Sequence, residues 1–274
     1  MSDTSGEAAG ASLRPSVADY DVPEFGPNFW GRRIVDITVG LARLAMHPET
    51  HFEDEAAIRK HRDQRGVLEI LATHFSRLEP GVIAQLAGKH ESLSHLKYTT
   101  GVTARTELWD IPVLGRLLRS IDAAPVKRTI ERPNETDAER ADRQEANQRQ
   151  QAKAGRRMAR GNNWIIWPEG NSKRSAEVNG QLVRVKRDPK TLLPIRNGFV
   201  YSLEAMTEEE RARVKLLAIT CYYGERALSG LRPTVYIGKP VAPVEGEREE
   251  VRQQGEALMR RGLAEAIRLD ELRQ

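Results

Sequence analysis

Apolar positions along the chain change period several times, and each change marks an element. From Trp30 onward, Trp30, Ile34, Ile37, Leu41 and Leu44 recur at intervals of three and four, with Arg32, Arg33, Asp36 and Arg43 between them. That period predicts an amphipathic helix within residues 28–47. Such a helix either packs on the domain or lies on a membrane with its arginines among lipid head groups. Ahead of it, residues 1–27 are small, polar and dotted with proline, which predicts a flexible tail.

The next apolar run, "GVLEILATH", is short and continuous and reads as a buried strand ending at His74. Pro80 then suits the first turn of a helix, "PGVIAQLAGKH". Further strands are predicted at 97–105, 123–128, 163–167, 191–195, 215–223 and 234–239, and helices near 111–121, 136–160, 204–212 and 247–272. Strands alternating with helices define an α/β domain with a mixed, largely parallel central sheet. Residues 28–274 read as one domain, and no internal repeat is visible. Glu131–Arg160 gathers acids early and Arg149, Lys153, Arg156, Arg157 and Arg160 late. This polarity complements the helix dipole and predicts a solvated helix.

Composition narrows the class. Hydrophobic residues make up 39% and charged residues 30%, which suits a soluble globular protein. No apolar run approaches the ~20 residues a spanning helix needs, and no basic and apolar leader opens the chain, so a cytoplasmic protein is expected. The net charge of +4 is compatible with phosphates, an anionic membrane or nucleic acid. Aromatics at 5% and the lack of a helix-turn-helix or RNA-binding signature argue against nucleic acid. Cys221 is the only cysteine, so no intrachain disulfide exists; within "LLAITCYY" it reads as a buried, inert thiol.

Four blocks carry candidate chemistry. In "HFSRLE", His74 ends a strand and Glu79 opens a helix. A carboxylate that holds one ring nitrogen leaves the other free to accept a proton. Histidines beside carboxylates are common, and His47-Pro48-Glu49-Thr50-His51 and His90…His95 are equally tidy. Pro48 breaks a continuous helix there and no third ligand is evident, so no metal site is predicted. The second block, "RTELWDIPVLG…PVKR", sets Arg105 and Arg128 at strand ends around a helix. The third, "WPEGNSKRS", runs from a strand into a turn with Glu169 and Gly170, then Lys173 and Arg174 on the same loop. The fourth is "LLPI", a predicted strand with Pro194 inside it.

In this order and at these spacings, over about residues 65–200, the blocks resemble the PlsC-type glycerolipid acyltransferase family, the 1-acylglycerol-3-phosphate acyltransferases and their relatives. The family blocks are His-x4-Asp, K-x-E-L…iP-x-x-G…R, FPEGTRS and a proline-bearing strand. The chain departs from them at Glu79 for Asp, Thr73 for Asn, Arg105 for Lys, and Asn171-Ser172 for Thr-Arg. The resemblance implies His74 as general base and Glu79 as the group that orients it. It implies Arg105 and Arg128 as holders of an acceptor phosphate, and Glu169 and Gly170 as positioners of hydroxyls, with Lys173 or Arg174 in place of the loop arginine. Acyl-CoA or acyl carrier protein would be the co-substrate, with no cofactor or metal. The acceptor would be lysophosphatidate or a related lysolipid, in phospholipid biosynthesis on the inner face of the membrane. Glycerol 3-phosphate or another alcohol is the alternative acceptor. A catalytically silent lipid-binding or scaffold protein with this fold is the alternative of another class.

Overall fold

A computed structural model describes residues 29–75, 79–108, 118, 123–127, 136–169, 174–178, 181–185, 188–224 and 232–273, with only the backbone at 29, 30, 105, 107, 174–178 and 181–185. The predicted tail 1–27, all of helix 111–121 except Leu118, and the site candidates Arg128, Gly170 and Lys173 lie outside the described residues.

The sheet has seven strands: β1 (Glu49–Phe52), β2 (Val67–Ala72), β3 (Thr100–Arg105), β4 (Ala124–Val126), β5 (Asn163–Ile166), β8 (Val214–Tyr222) and β9 (Thr234–Ile237). Their order is β1-β9-β8-β2-β5-β3-β4. β8, β2, β5, β3 and β4 run parallel, β9 reverses against β8, and β1 follows β9. A separate antiparallel hairpin joins β6 (Arg174–Val178) to β7 (Gln181–Val185). The helices of the described residues are α1 (Phe29–Ala45), α2 (Glu55–Asp63), α3 (Glu79–Lys89), α4 (Leu96–Thr99), α5 (Asp137–Ala159), α6 (Gly198–Glu204), α7 (Glu208–Ala212) and α8 (Arg248–Leu272). The class is therefore α/β with a mostly parallel mixed sheet.

β2 lies in the middle of the sheet, and every one of its residues is buried. A strand covered on both faces has no use for alternation, which is why "VLEILA" is almost continuously apolar. Leu68, Ile70 and Ala72 pack with Val82, Ile83 and Leu86 of α3 and with Ile58 of α2. Val67 and Leu71 pack on the opposite face with Met158 of α5, Phe199 of α6 and Met259 of α8. Gly101 on β3 pairs with Trp164 on β5. A methyl group at 101 would collide with the indole ring, so the glycine gives the ring its room.

Several expectations are corrected. Residues 191–195 form no strand: the segment is irregular, although Leu192 and Ile195 are buried. Pro194 has no N–H to give a ladder. Strand 97–105 starts only at Thr100, after the helical turn α4. The predicted helix 204–212 is split into α6 and α7, with the break at the Thr207 N-cap. Helix α5 starts at a capping box, in which Thr136 Oγ1 accepts from Glu139 N–H and Glu139 Oε2 accepts from Thr136 N–H. It is not solvated all round: Arg157 is 1% exposed, with its guanidinium 5.8 Å from the Trp164 ring centre.

The centre of the sheet contains one ionisable side chain that its apolar pattern does not explain. Glu69 of β2 is fully buried and its carboxyl pKa is pushed up to about 8, by burial first, with the Ser202 hydroxyl opposing. Ser202 Oγ lies 2.5 Å from Glu69 Oε1 and 2.6 Å from the Phe199 carbonyl oxygen. One hydroxyl proton serves only one of these. A protonated Glu69 resolves the conflict: it donates to Ser202 Oγ, which donates to the Phe199 carbonyl. Gly155 of α5 approaches the Ser202 carbonyl so closely that no side chain fits there, which lets α6 pack tightly on α5.

Because the folded pKa of Glu69 lies above its ordinary 4.5, the folded state holds a proton that the unfolded state releases. Stability is thus lost as pH rises from about 4.5 through about 8 and is level above that. Glu69→Gln removes this loss. The difference in melting temperature between Glu69→Gln and wild type should grow in the variant's favour from pH 5 to pH 8. It should correspond to a few kcal/mol, since each tenfold difference in proton affinity is worth roughly 1.4 kcal/mol. A difference that does not change with pH would contradict a protonated Glu69.

Candidate active site

The five parallel strands end at one edge, and the candidate chemistry is gathered there. β2 ends at Ala72, and His74 follows two residues later. Thr73 secures this exit: its N–H donates to the Ile219 carbonyl at 3.2 Å, and its hydroxyl accepts from Cys221 N–H at 2.9 Å. Both partners are on β8, so the strand end is tied to its neighbour just before the histidine.

Glu79 is the first residue of α3 and is fully buried. Its Oε2 lies 3.3 Å from His74 Nδ1, and its Oε1 accepts from Phe75 N–H at 2.6 Å. A carboxylate only accepts, so the imidazole contributes the proton on Nδ1 and leaves Nε2 as a bare acceptor. Nε2 makes no hydrogen bond among the described residues, and the His74 side chain is 19% exposed. The N-terminus of α3 adds a favourable field for the carboxylate. Glutamate in place of aspartate thus has a structural use: its longer arm reaches both the imidazole and the main chain of the turn.

Trp167 forms one wall. Its ring centre is 5.9 Å from that of His74, with a 46° tilt, and its Nε1 is buried without a partner among the described residues. It was not among the residues predicted for the site. The signal in the sequence was an indole at the exit of an apolar strand, directly before Pro-Glu. Glu169 comes two residues later and is 2% exposed. Arg196 N–H donates to the Pro168 carbonyl at 2.9 Å. The segment with Pro194, predicted as a strand, instead braces the Pro-Glu turn.

Arg105 is the last residue of β3 and pairs in register with Val126 of β4, so it belongs to the same edge as His74. Lys127 leaves β4 with its N–H and carbonyl both bonded to the Asn147 side chain of α5, at 2.8 and 2.9 Å. Arg174 is not on a loop as predicted but begins β6. Cys221 is fully buried; burial first, and then the Glu79 carboxylate, raise its thiol pKa well above the usual thiol value, as expected of an inert thiol. No cluster of three or more His, Cys, Asp or Glu side chains suited to a metal occurs among the described residues.

A mostly parallel α/β sheet that carries a carboxylate-braced imidazole beyond its central strand has the parts that general-base chemistry uses. The chain belongs to the acyltransferase family: the family model described as Acyltransferase matches residues 51–222, well over half of its length. That span begins within β1 and ends with β8, so it includes His74, Glu79, Arg105 and Glu169. No curated protein sequence matches the chain.

Proposed function

We propose that this acyltransferase moves a fatty acyl group from a thioester, acyl-CoA or acyl carrier protein, to a hydroxyl of lysophosphatidate or a related lysolipid. The observation that carries this reading is the His74–Glu79 pair, with Nδ1 held at 3.3 Å and Nε2 without a partner among the described residues. Nε2 takes the hydroxyl proton as the oxygen attacks the thioester carbonyl. A C–O bond forms, the C–S bond breaks, and the proton passes from His74 to the departing thiolate. Glu79 orients the ring and offsets the charge of the transient imidazolium. No covalent acyl-enzyme is needed. Arg105, together with Arg128, is assigned to the acceptor phosphate, a task suited to a guanidinium fork. Glu169 and Gly170 are assigned to the acceptor's hydroxyls, with Lys173 and Arg174 nearby in the chain.

We further assign α1 to peripheral contact with the membrane that holds such a substrate. Val39 and Ala42 are buried, whereas Ile37, Leu41 and Leu44 are 61%, 62% and 80% exposed. Spacings of four and three residues put those three on one stripe, and Arg33 and Arg43 are exposed nearby. The helix thus packs through one face and leaves a second apolar face open, the arrangement of an interfacial helix. No helix among the described residues is long and apolar enough to cross a membrane.

His74→Ala should lower thiol release from acyl-CoA in the presence of lysophosphatidate by about 100- to 10,000-fold, with the melting temperature unchanged. Undiminished release in that variant would overturn the general-base reading. For the membrane contact, wild type should co-sediment with phospholipid vesicles, and Leu41→Glu with Leu44→Glu should abolish it. Co-sedimentation indifferent to both changes would remove α1 from that role.

A further inference from the structure

At the β1 edge of the sheet, opposite the β3–β4 end, the surface opens into a second hollow. The cavity has a volume of about 650 Å³, and its lining includes neither His74 nor Glu79. Strand spacing puts β1 about 14 Å from β2, three strands away. Arg43 from α1, Lys89 from the end of α3, Arg232 ahead of β9 and Arg273 after α8 converge on it. Glu49 is the one carboxylate side chain in the lining among the described residues. It is already engaged, by Arg273 at 3.0 Å and by His51 at 3.1 Å.

The other three cations have no partner among the described residues. Arg43, Lys89 and Arg232 make no hydrogen bond or ion pair with any described residue. They come from three separate parts of the chain, and the fold sets them around one hollow. Like charges so placed repel, and their field concentrates an anion there. A second observation concerns the floor. Gln85 is 4% exposed, and its Nε2 donates to the Met46 carbonyl at 2.9 Å. Its Oε1 is buried with no partner among the described residues, and the same holds for Thr50 Oγ1 and His90 Nε2 in the same lining. Groups of this kind are destabilising when left unmade. The Thr50 hydroxyl and the His90 ring nitrogen can each donate to an anion, whereas the Gln85 oxygen only accepts and adds nothing to such a site. Two buried donors among three cations without a partner among the described residues mark a site completed from outside.

We propose that this cavity is a binding site for the phosphate of a phosphate ester, separate from the acceptor position at Arg105. Guanidinium and ammonium groups from several directions match the several oxygens of such an anion. Two sources offer this chemistry. One is a soluble phosphate ester. The other is an anionic lipid head group, presented to Arg43 by the membrane that meets the Leu41 and Leu44 stripe. The proposal rests on no step of the acyl transfer.

The test uses the full chain and two probes: ribose 5-phosphate by titration calorimetry, and vesicles of phosphatidylcholine with or without phosphatidylglycerol by co-sedimentation. All three cations are exposed, so Lys89→Gln with Arg232→Gln should fold normally. The double variant should lose binding about tenfold or more in at least one arm, whereas Arg105→Gln should retain it. Loss confined to ribose 5-phosphate supports the proposal with a soluble ester as ligand. Loss confined to the phosphatidylglycerol-dependent part of vesicle binding supports it with a lipid phosphate. Binding unchanged by the double variant in both arms, no binding of either probe by wild type, or a loss produced by Arg105→Gln instead would each overturn it. Neither readout involves turnover, so failure here is distinguishable from failure of His74 as base.

Discussion

Glu79 divides its two carboxylate oxygens between a side chain and the main chain, and the candidate active site depends on that division. One oxygen meets His74 Nδ1 and the other takes Phe75 N–H. The imidazole orientation and the path of the turn after β2 are therefore held by one buried group. The pair is useful because both of its ends are anchored. Behind His74, Thr73 is bonded twice to β8, and behind Glu79, α3 is packed through Val82, Ile83 and Leu86 onto the sheet. A flexible surface histidine with an acidic neighbour has neither anchor.

The rest of the edge follows from strand order. β2 is central, β5 lies on one side of it and β8 on the other. The segment that leaves β5 puts Trp167 beside His74 and continues to Glu169, and the next strand, β3, ends at Arg105. Parallel strands end together, so residues almost a hundred positions apart in sequence become neighbours. The irregular segment before α6 completes the arrangement by bonding Pro168 through Arg196. The same sheet tolerates Glu69 at its centre because the Ser202 hydroxyl and the Phe199 carbonyl offer a route for a neutral carboxyl group.

Much of this was legible in the chain. Long apolar runs announced β2, β5 and β8, because strands buried on both faces must be apolar throughout. Charge polarity announced α5. β1 was not legible: it has four residues, none of them buried, so burial left little trace in its composition. The hairpin β6–β7 was overlooked although Asn179-Gly180 stands between its strands in sequence, a strong turn pair. "LLPI" misled because burial selects apolar residues whether or not the backbone joins a ladder. In the site, His74 and Glu79 were legible through the company of the other blocks. Trp167 was not, since an indole at the end of an apolar run reads equally well as core.

The apolar face of α1 and the cation-lined cavity beside it involve residues that local pattern cannot assign: Leu41 reads the same packed or exposed, and Arg43, Lys89 and Arg232 are far apart in sequence. Only the fold brings them together, at the opposite flank of the sheet from Arg105.

The central claim is that Glu79 holds His74 as the Nδ1–H tautomer, leaving Nε2 bare to accept a proton. Two-bond and three-bond hydrogen–nitrogen correlation spectra of protein carrying ¹⁵N-labelled histidine report this directly, with His74→Ala used for assignment. The account predicts a protonated Nδ1 and an unprotonated Nε2 for the neutral His74 ring, lost or mixed in Glu79→Ala. A His74 that is predominantly the Nε2–H tautomer in the wild-type protein would contradict it.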